Sequence, residues 1–323
     1  LDELRGLLNY SPQILTGVDG LVELASGGEA DMVLVAIVGT AGLRPALAAI
    51  EVGRDLAVAS KEILVMAGEV VTSAARRAGV RLLPVDSEHN AIFQWLEGCG
   101  GVESLSRLIL TASGGPFREL PAARLADVTP EQALRHPTWE MGRKISIDSA
   151  TLFNKGLEMI EAHWLFGVPM TQVDVVVHPQ SIVHSMVEFI DGSTLAQLSH
   201  SDMCFPIQYA VTWPERIANS LAPLDFARLG RLEFEAPRLD DFPALNLARA
   251  VGESGGTLPA VMNAANEVAV DAFLAGEIPF PGIWRCVEQV CERHRTSAAQ
   301  ELPAIIEADR WARDEAARLL GEQ

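Results

Sequence analysis

At 323 residues the chain has room for two or three domains, and its 49% hydrophobic content supplies sizeable cores. Forty-three acidic residues against 25 basic ones give a net charge of -18, which excludes nucleic acid or an anionic membrane surface as the main partner, since both would repel it. No run reaches the roughly 18 apolar residues of a membrane helix, and Cys99, Cys204, Cys286 and Cys291 form neither a CxxC pair nor a zinc-ligand spacing, as expected of ordinary thiols in a reducing cytoplasm.

The opening Leu1-Asp2-Glu3-Leu4 carries no signal-peptide pattern and does not begin with methionine, so a removed or missing upstream segment is expected. Met32 to Val38 reads as an apolar strand, Gly39-Thr40-Ala41-Gly42 as a turn, and the alanine-rich stretch through Glu51 as a helix stopped near Gly53. Ala57 to Ser60 and Val80 to Val85 are two more strands, around a helix from Glu62 to Ala78 that stops at Gly79. Strands alternating with helices predict a parallel sheet with right-handed crossovers. The lone Gly-x-x-Gly at 39–42 fits a plain strand-to-helix turn better than a nucleotide loop, because the full Gly-x-Gly-x-x-Gly pattern occurs nowhere in the chain. Lys61 and Glu62 follow the second strand, where a lysine either meets an anionic group or pairs with a surface acid.

The third strand ends abruptly in Asp86-Ser87-Glu88. In open α/β sheets ligands bind at the carboxyl ends of strands. In an extended segment Asp86 and Glu88 point the same way while Ser87 turns aside, so the two acids can converge on one cation. The alternative stays open here: Asp86 and Ser87 cap a helix from Ala91 to Leu96. Leu108 to Ala112 is a further strand running into Ser113-Gly114-Gly115, where glycines let backbone N–H groups approach a phosphate or simply make a tight turn. Thr129 and Pro130 open a short helix. Residues 136–144, with Pro and Gly breaking them, read as a lid.

Ser149 is expected to cap a helix running to Phe166 and stopped by Gly167. Asn154, Glu158 and Glu161 share one face of it, with Lys155 alongside. Leu152, Phe153, Leu157, Met159, Ile160, Trp164 and Leu165 leave little of that helix to expose, and buried carboxylates require a cation or a partner. Val173 to Val177 is a strand, and Ile182 to Ile190 pairs with Ser193 to Ser199 in a hairpin across Asp191-Gly192. His178 and His184 flank the Pro179-Gln180-Ser181 turn, and neither stands out as a catalytic base. Ser201 or Asp202 caps a helix through Trp213, and residues 223–243 read as a linker. Helices at about 244–253, 258–274, 283–294 and 303–320 close the chain.

Five stretches, VDSEHNAIFQ (85–94), SGGPFRE (113–119), HPTWEMGRKISIDSATLFNKGLEMIEAHWLF (136–166), HPQSIVHSMV (178–187) and NAANEVAVDAFL (263–274), resemble the 1-deoxy-D-xylulose 5-phosphate reductoisomerase family in order and spacing, over essentially the whole chain. The resemblance implies an α/β fold: the remainder of a Rossmann-like NADPH-binding domain (1–86), an α/β catalytic domain with a lid loop (87–213), a linker (214–242) and a C-terminal four-helix domain (243–323). It implies Mg2+ or Mn2+ held by Asp86, Glu88 and Glu158, an oxygen-only set suited to a hard cation. It also implies a sugar-phosphate substrate, rearranged to an aldehyde that NADPH reduces to 2-C-methyl-D-erythritol 4-phosphate. By position Ser87, Ser113, Ser149, Asn154, Lys155 and His184 match substrate contacts, and His136, Trp139 and Met141 match the lid. Lys61 matches a catalytic lysine near substrate and cofactor. Gly39, Ser60, Glu62, Gly142 and Met203 fall on the cofactor side, and Glu161 is a supporting residue. The family is usually dimeric.

The sequence departs from the family pattern at Ser60, where Asn is usual, and at His200-Ser201 before Asp202-Met203, both on the cofactor side. The family's opening strand and Gly-x-Thr-Gly-x-x-Gly loop, which hold the NADPH phosphates, are expected upstream of Leu1. Two other readings compete. A metal-dependent sugar-phosphate isomerase or aldolase would keep the carboxylates and need no nicotinamide. A non-catalytic paralogue would serve as a dimer partner or regulatory module, but an inert protein gains nothing from burying unpaired acids.

Overall fold

The computed structural model describes residues 6–7, 9–99 and 102–322; the opening Leu1 to Leu4 and the Cys99 side chain lie outside them. After helix α1 (Gly17–Ser26), strands and helices alternate: β1 (Met32–Val35), α2 (Leu43–Glu51), β2 (Asp55–Val58), α3 (Lys61–Ala78), β3 (Leu82–Pro84) and α4 (Ser87–Cys99). The three strands pair in parallel in the order β1-β2-β3, with Val58 between Val35 and Pro84. β1 is shorter than its apolar run, because the amides of Ala59 and Ser60 both bond to the Val35 carbonyl and end the ladder there. Gly39–Gly42 is a single 3-10 turn. Its last glycine serves packing, since a Cβ on Gly42 would lie 2.9 Å from Val35 Cγ1.

A second sheet holds β4 (Leu105–Ala112), β5 (Val173–Val177), β6 (Val183–Phe189) and β7 (Thr194–Leu198) in the order β5-β4-β6-β7. β5 runs parallel to β4, and β6 and β7 form the expected antiparallel hairpin, with Gly192 at φ 83° in its turn. Between β4 and β5 lie α5 (Pro130–Ala133), α6 (Arg143–Thr151) and α7 (Phe153–Phe166). The stretch expected as one helix from Ser149 is thus two. Leu152, at φ 67°, breaks it, and Ser149 sits inside α6 rather than capping anything. The Thr151 hydroxyl drives the break: it donates to the Ile147 and Asp148 carbonyls and accepts from the Phe153 amide, displacing helical backbone bonds.

Helix α8 (Cys204–Thr212) follows β7, with Asp202 Oδ1 accepting from the Cys204 amide (2.8 Å). The linker carries only α9 (Phe226–Leu229) and a single bridge from Glu235 to Val177. The last four helices are α10 (Ala244–Ser254), α11 (Leu258–Leu274), α12 (Gly282–Arg293) and α13 (Leu302–Gly321). One apolar core joins them to the second sheet: Leu108 and Leu110 of β4, Phe153 and Leu157 of α7, and Val261 and Phe273 of α11 all belong to it. A second core under the parallel strands contains Val35, Leu56 and Ile63 and draws in Ala260 and Ile305 from the C-terminal helices. α3 packs along α7 so closely that a Cβ on Gly68 would lie 2.2 Å from the Trp164 indole. Among the described residues no helix is long and apolar enough to cross a membrane.

Candidate active site

The end of β3 and the start of α4 meet the first turns of α7 at a cavity of about 320 Å3, within the range of about 300–1,000 Å3 usual for ligand pockets. The helix begins at Ser87, four residues earlier than expected: the Asn90 amide bonds to the Asp86 carbonyl (2.9 Å), and Asp86 Oδ1 accepts from the Ser87 amide (3.1 Å). Asp86 therefore does both jobs the sequence held open, ending the strand as a cap and turning toward the cavity. Its convergence with Glu88 comes from the first helical turn and not from strand alternation. Glu158 of α7 completes the group, with one oxygen of Asp86, Glu88 and Glu158 each lying within 4.8 Å of the others.

Two ammonium groups lie among these acids. Lys61 Nζ is 2.5 Å from Asp86 Oδ2 and 3.0 Å from Glu158 Oε1, and Lys155 Nζ is 2.6 Å from Glu88 Oε1 and also contacts Glu158 Oε2. Burial works against the Lys61 charge, and Asp86, Glu158 and Glu161 outweigh it, so its pKa stands well above the ordinary lysine value. Lys155 is raised in the same way, burial being overcome by Glu158 and Glu88. Burial also opposes the Glu88 charge, yet Lys155 and the Ser87 hydroxyl, which donates to Glu88 Oε2 (2.6 Å), hold its carboxyl down to about 2. Glu158 moves the other way, pushed up by burial and by the neighbouring Glu88. An all-oxygen set in which ammonium groups are held is a fit for a hard divalent ion.

Asn154 ties the group together, accepting from Lys61 at Oδ1 (2.9 Å) and donating to Glu158 Oε1 (2.6 Å). Behind the cavity His89 and Glu161 are fully buried, with His89 Nε2 on the Glu158 carbonyl (2.9 Å) and Nδ1 3.3 Å from Glu161 Oε2. Burial raises Glu161 to about 7. Glu161 thus backs the acids without lining the cavity.

The lid crosses above. Its irregular part is residues 136–142, since α6 takes over at Arg143. His136 Nδ1 accepts the amides of Thr138 (3.2 Å) and Trp139 (2.9 Å), which puts the ring proton on Nε2, 2.9 Å from Ser113 Oγ. Burial lowers His136 to about 4. Trp139, Met141, Gly142, Ser149, Lys155, His184 and Met203 line the same cavity. The two histidines separate cleanly. His178 Nδ1 donates to the Glu233 carbonyl (2.7 Å) and Nε2 accepts from the Ile182 amide (3.1 Å), so one nitrogen tethers the linker and the other braces the turn before β6. His184 faces the cavity and bonds Ser199 Oγ through Nε2 (2.9 Å), and burial lowers its pKa.

A second cavity of about 330 Å3 adjoins the first at Ala59, Lys61, Gly142, Ile145 and Asn154. It opens at the carboxyl ends of β1 and β2, the edge where α/β sheets take ligands, and is lined also by Val38, Ser60, Glu62 and Lys144. Gly39 lines neither cavity, and the Ser60 hydroxyl is turned away to the Ile37 carbonyl (2.6 Å). Sequence reasoning missed Ser181, Thr111 and Ile145, which line the main cavity. The position of Ser181 between two histidines was a usable signal; the other two carried none.

A parallel-strand unit with a cleft at its strand ends, beside a lidded cavity floored by carboxylates, defines a metal-assisted α/β enzyme of the dinucleotide-using kind. Residues 1–68 match the family model 1-deoxy-D-xylulose 5-phosphate reductoisomerase, residues 82–166 that of the 1-deoxy-D-xylulose 5-phosphate reductoisomerase C-terminal domain, and residues 198–315 that of the DXP reductoisomerase C-terminal domain. The chain belongs to the 1-deoxy-D-xylulose 5-phosphate reductoisomerase family. The 1-deoxy-D-xylulose 5-phosphate reductoisomerase of Symbiobacterium thermophilum is 57% identical over 318 residues, 97% of this chain and 81% of that one. The Zymomonas mobilis reductoisomerase in complex with NADPH superposes with a TM-score of 0.88 at 49% identity, over 94% of this chain and 78% of that one. A DOX-P reductoisomerase in complex with NADPH, fosmidomycin and magnesium gives a TM-score of 0.88 at 42% identity, over 94% and 79%.

Proposed function

We propose that the main cavity is where this chain carries out its family's reaction, the NADPH-dependent reductive isomerisation of 1-deoxy-D-xylulose 5-phosphate to 2-C-methyl-D-erythritol 4-phosphate, a step toward isoprenoid precursors. The observation that carries the reading is the convergence of Asp86, Glu88 and Glu158 within 4.8 Å at the floor of a lidded cavity; these three are the ligands of Mg2+ or Mn2+. When bound, the cation supplies Lewis acidity toward neighbouring substrate oxygens and NADPH supplies the hydride.

The chain's own residues do the rest. Lys155, Asn154, Ser87, Ser113, Ser149 and His184 offer donors to the phosphate and hydroxyls from the cavity wall. Lys61, common to both cavities, touches substrate and cofactor sides at once. His136, Trp139 and Met141 close the roof and keep water from the aldehyde. Gly142, Ser60, Glu62 and Met203 border the hydride donor, and Gly39 lies outside the lining, next in sequence to Val38, which does line the second cavity. We read the protein as a cytoplasmic homodimer. The free thiols Cys204, Cys286 and Cys291 support the compartment. The exposed apolar pair Ile207 and Val211, at 38% and 45%, supports the dimer.

The test is oxidation of NADPH by the full-length protein with substrate and Mn2+. Glu158→Ala is expected to lower kcat by more than the roughly 10–100-fold that a residue supporting a ligand costs. Substrate turnover without NADPH oxidation would favour the nicotinamide-free isomerase, and full activity in Glu158→Ala would remove the metal assignment.

A further inference from the structure

We propose that Lys61 is an exchangeable counter-ion: its ammonium holds the cation position on the Asp86–Glu158 edge, and a divalent ion takes that position by displacing it, while Lys155 stays in place. The inference rests on Asp86, Glu88 and Glu158 being the metal ligands. Lys61 Nζ lies within 3.0 Å of three oxygens, Asp86 Oδ2, Glu158 Oε1 and Asn154 Oδ1. The Lys61 and Glu158 side chains are 7% and 1% exposed, so water cannot neutralise Glu158 and an internal cation must.

The two cations exclude one another. A magnesium-like divalent ion needs carboxylate oxygens at about 2.0–2.1 Å, which would press it against an ammonium sharing those oxygens. The lysines differ in their freedom to leave. Lys155 stands three residues before Glu158 on the same helix. Lys61 opens α3 on the other sheet's unit and borders both cavities, so its flexible stem can carry the charge into the second one, beside Glu62. Glu158 is not orphaned by the move, because Asn154 Nδ2 still donates to its Oε1 (2.6 Å). Metal occupancy thereby delivers positive charge to the second cavity, and by linkage an anion bound there tightens the metal.

The experiment titrates the protein with Mn2+ alone, reading free Mn2+ by electron paramagnetic resonance, with neither substrate nor cofactor. Lys61→Met is expected to bind Mn2+ at least about tenfold tighter than wild type, as removal of a competing ligand requires. Lys144→Met deletes the same charge from a site that touches Glu62 and Asp148 but none of the three ligands, and should stay within about threefold of wild type because its effect is through space. Binding by Lys61→Met no tighter than by Lys144→Met overturns the proposal. Glu158→Ala tests the ligand reading separately: unchanged Mn2+ affinity in that variant means the ligands were misassigned, whatever Lys61→Met does. A Lys61→Met protein that folds only with Mn2+ supports the exchange in its extreme form. Should it fold under neither condition, wild type decides by acetic anhydride labelling. Labelling of Lys61 that rises on adding Mn2+ supports displacement, and labelling that is unchanged or falls overturns it.

Discussion

His136 is the residue on which the lid turns. Its ring organises the lid from within, through two backbone amides, and fastens it outward to Ser113. Protonation of Nδ1 would cancel both inward bonds. With the folded-state value near 4, depressed below the ordinary 6.5, the neutral ring is the one the closed lid selects. The latch is complete above pH 6.5 and is lost as the pH falls from there toward 4. The fluorescence of Trp139, isolated by subtracting a Trp139→Phe variant, should titrate inside that window in wild type and not in His136→Gln. A transition that survives in His136→Gln would place the switch elsewhere. Glu158 was legible in sequence because it violates burial rules, lying among Leu157, Met159 and Ile160, and Asp86 and Glu88 were legible by their place at a strand's carboxyl end. Thr111 was not, since only the register of β4 against β5 turns it toward the cavity; Ser181, carried there by a turn at φ 51°, was signalled only by its place between two histidines.

At the scale of elements, the contact between α3 and α7 sets the distance between Lys61 and Glu158, since each residue is fixed to one of those helices. Gly68 permits that contact by leaving room for the Trp164 indole. Gly68→Ala is expected to cost about 1–3 kcal/mol by overpacking. Combined with Trp164→Leu, its penalty should shrink by at least about 0.5 kcal/mol, the coupling expected of touching residues. Denaturant melts of the four proteins decide it, and strict additivity would mean the helices do not meet there. Such contacts cannot be read from one helix alone, and the break at Leu152 is a similar case. Nothing in Ser-Ala-Thr-Leu-Phe-Asn contains a glycine or proline to announce it. The Thr151 hydroxyl and the burial of Leu152 and Phe153 override a sequence whose local pattern favours continuation.

For the whole molecule, the parallel unit, the hairpin and the four closing helices were legible because each has its own periodicity. The way they share interiors was not. The proline-rich stretch suggests a boundary near residue 243, yet both cores draw side chains from beyond it. Charge acts at this scale too. With no divalent ion bound, the lysines of the site are paired with its own carboxylates, so the excess of 43 acids over 25 bases dominates the field an anionic substrate meets in the metal-free protein. Stopped-flow association of the sugar phosphate should therefore accelerate as ionic strength rises from about 10 to 150 mM and the Debye length contracts from about 30 to 8 Å. Slowing over that range would reveal an attractive local field at the cavity mouth.

The shared interiors also fix what a cut in the chain can do. The exposed run 214–220 is the natural place for a protease to enter, but the pieces it would leave are two halves of common cores. Each half alone would present raw apolar surface from the core that Val261 and Phe273 share with Phe153 and Leu157, so the nicked protein would stay mated, and neither half would be obtained as a free-standing domain.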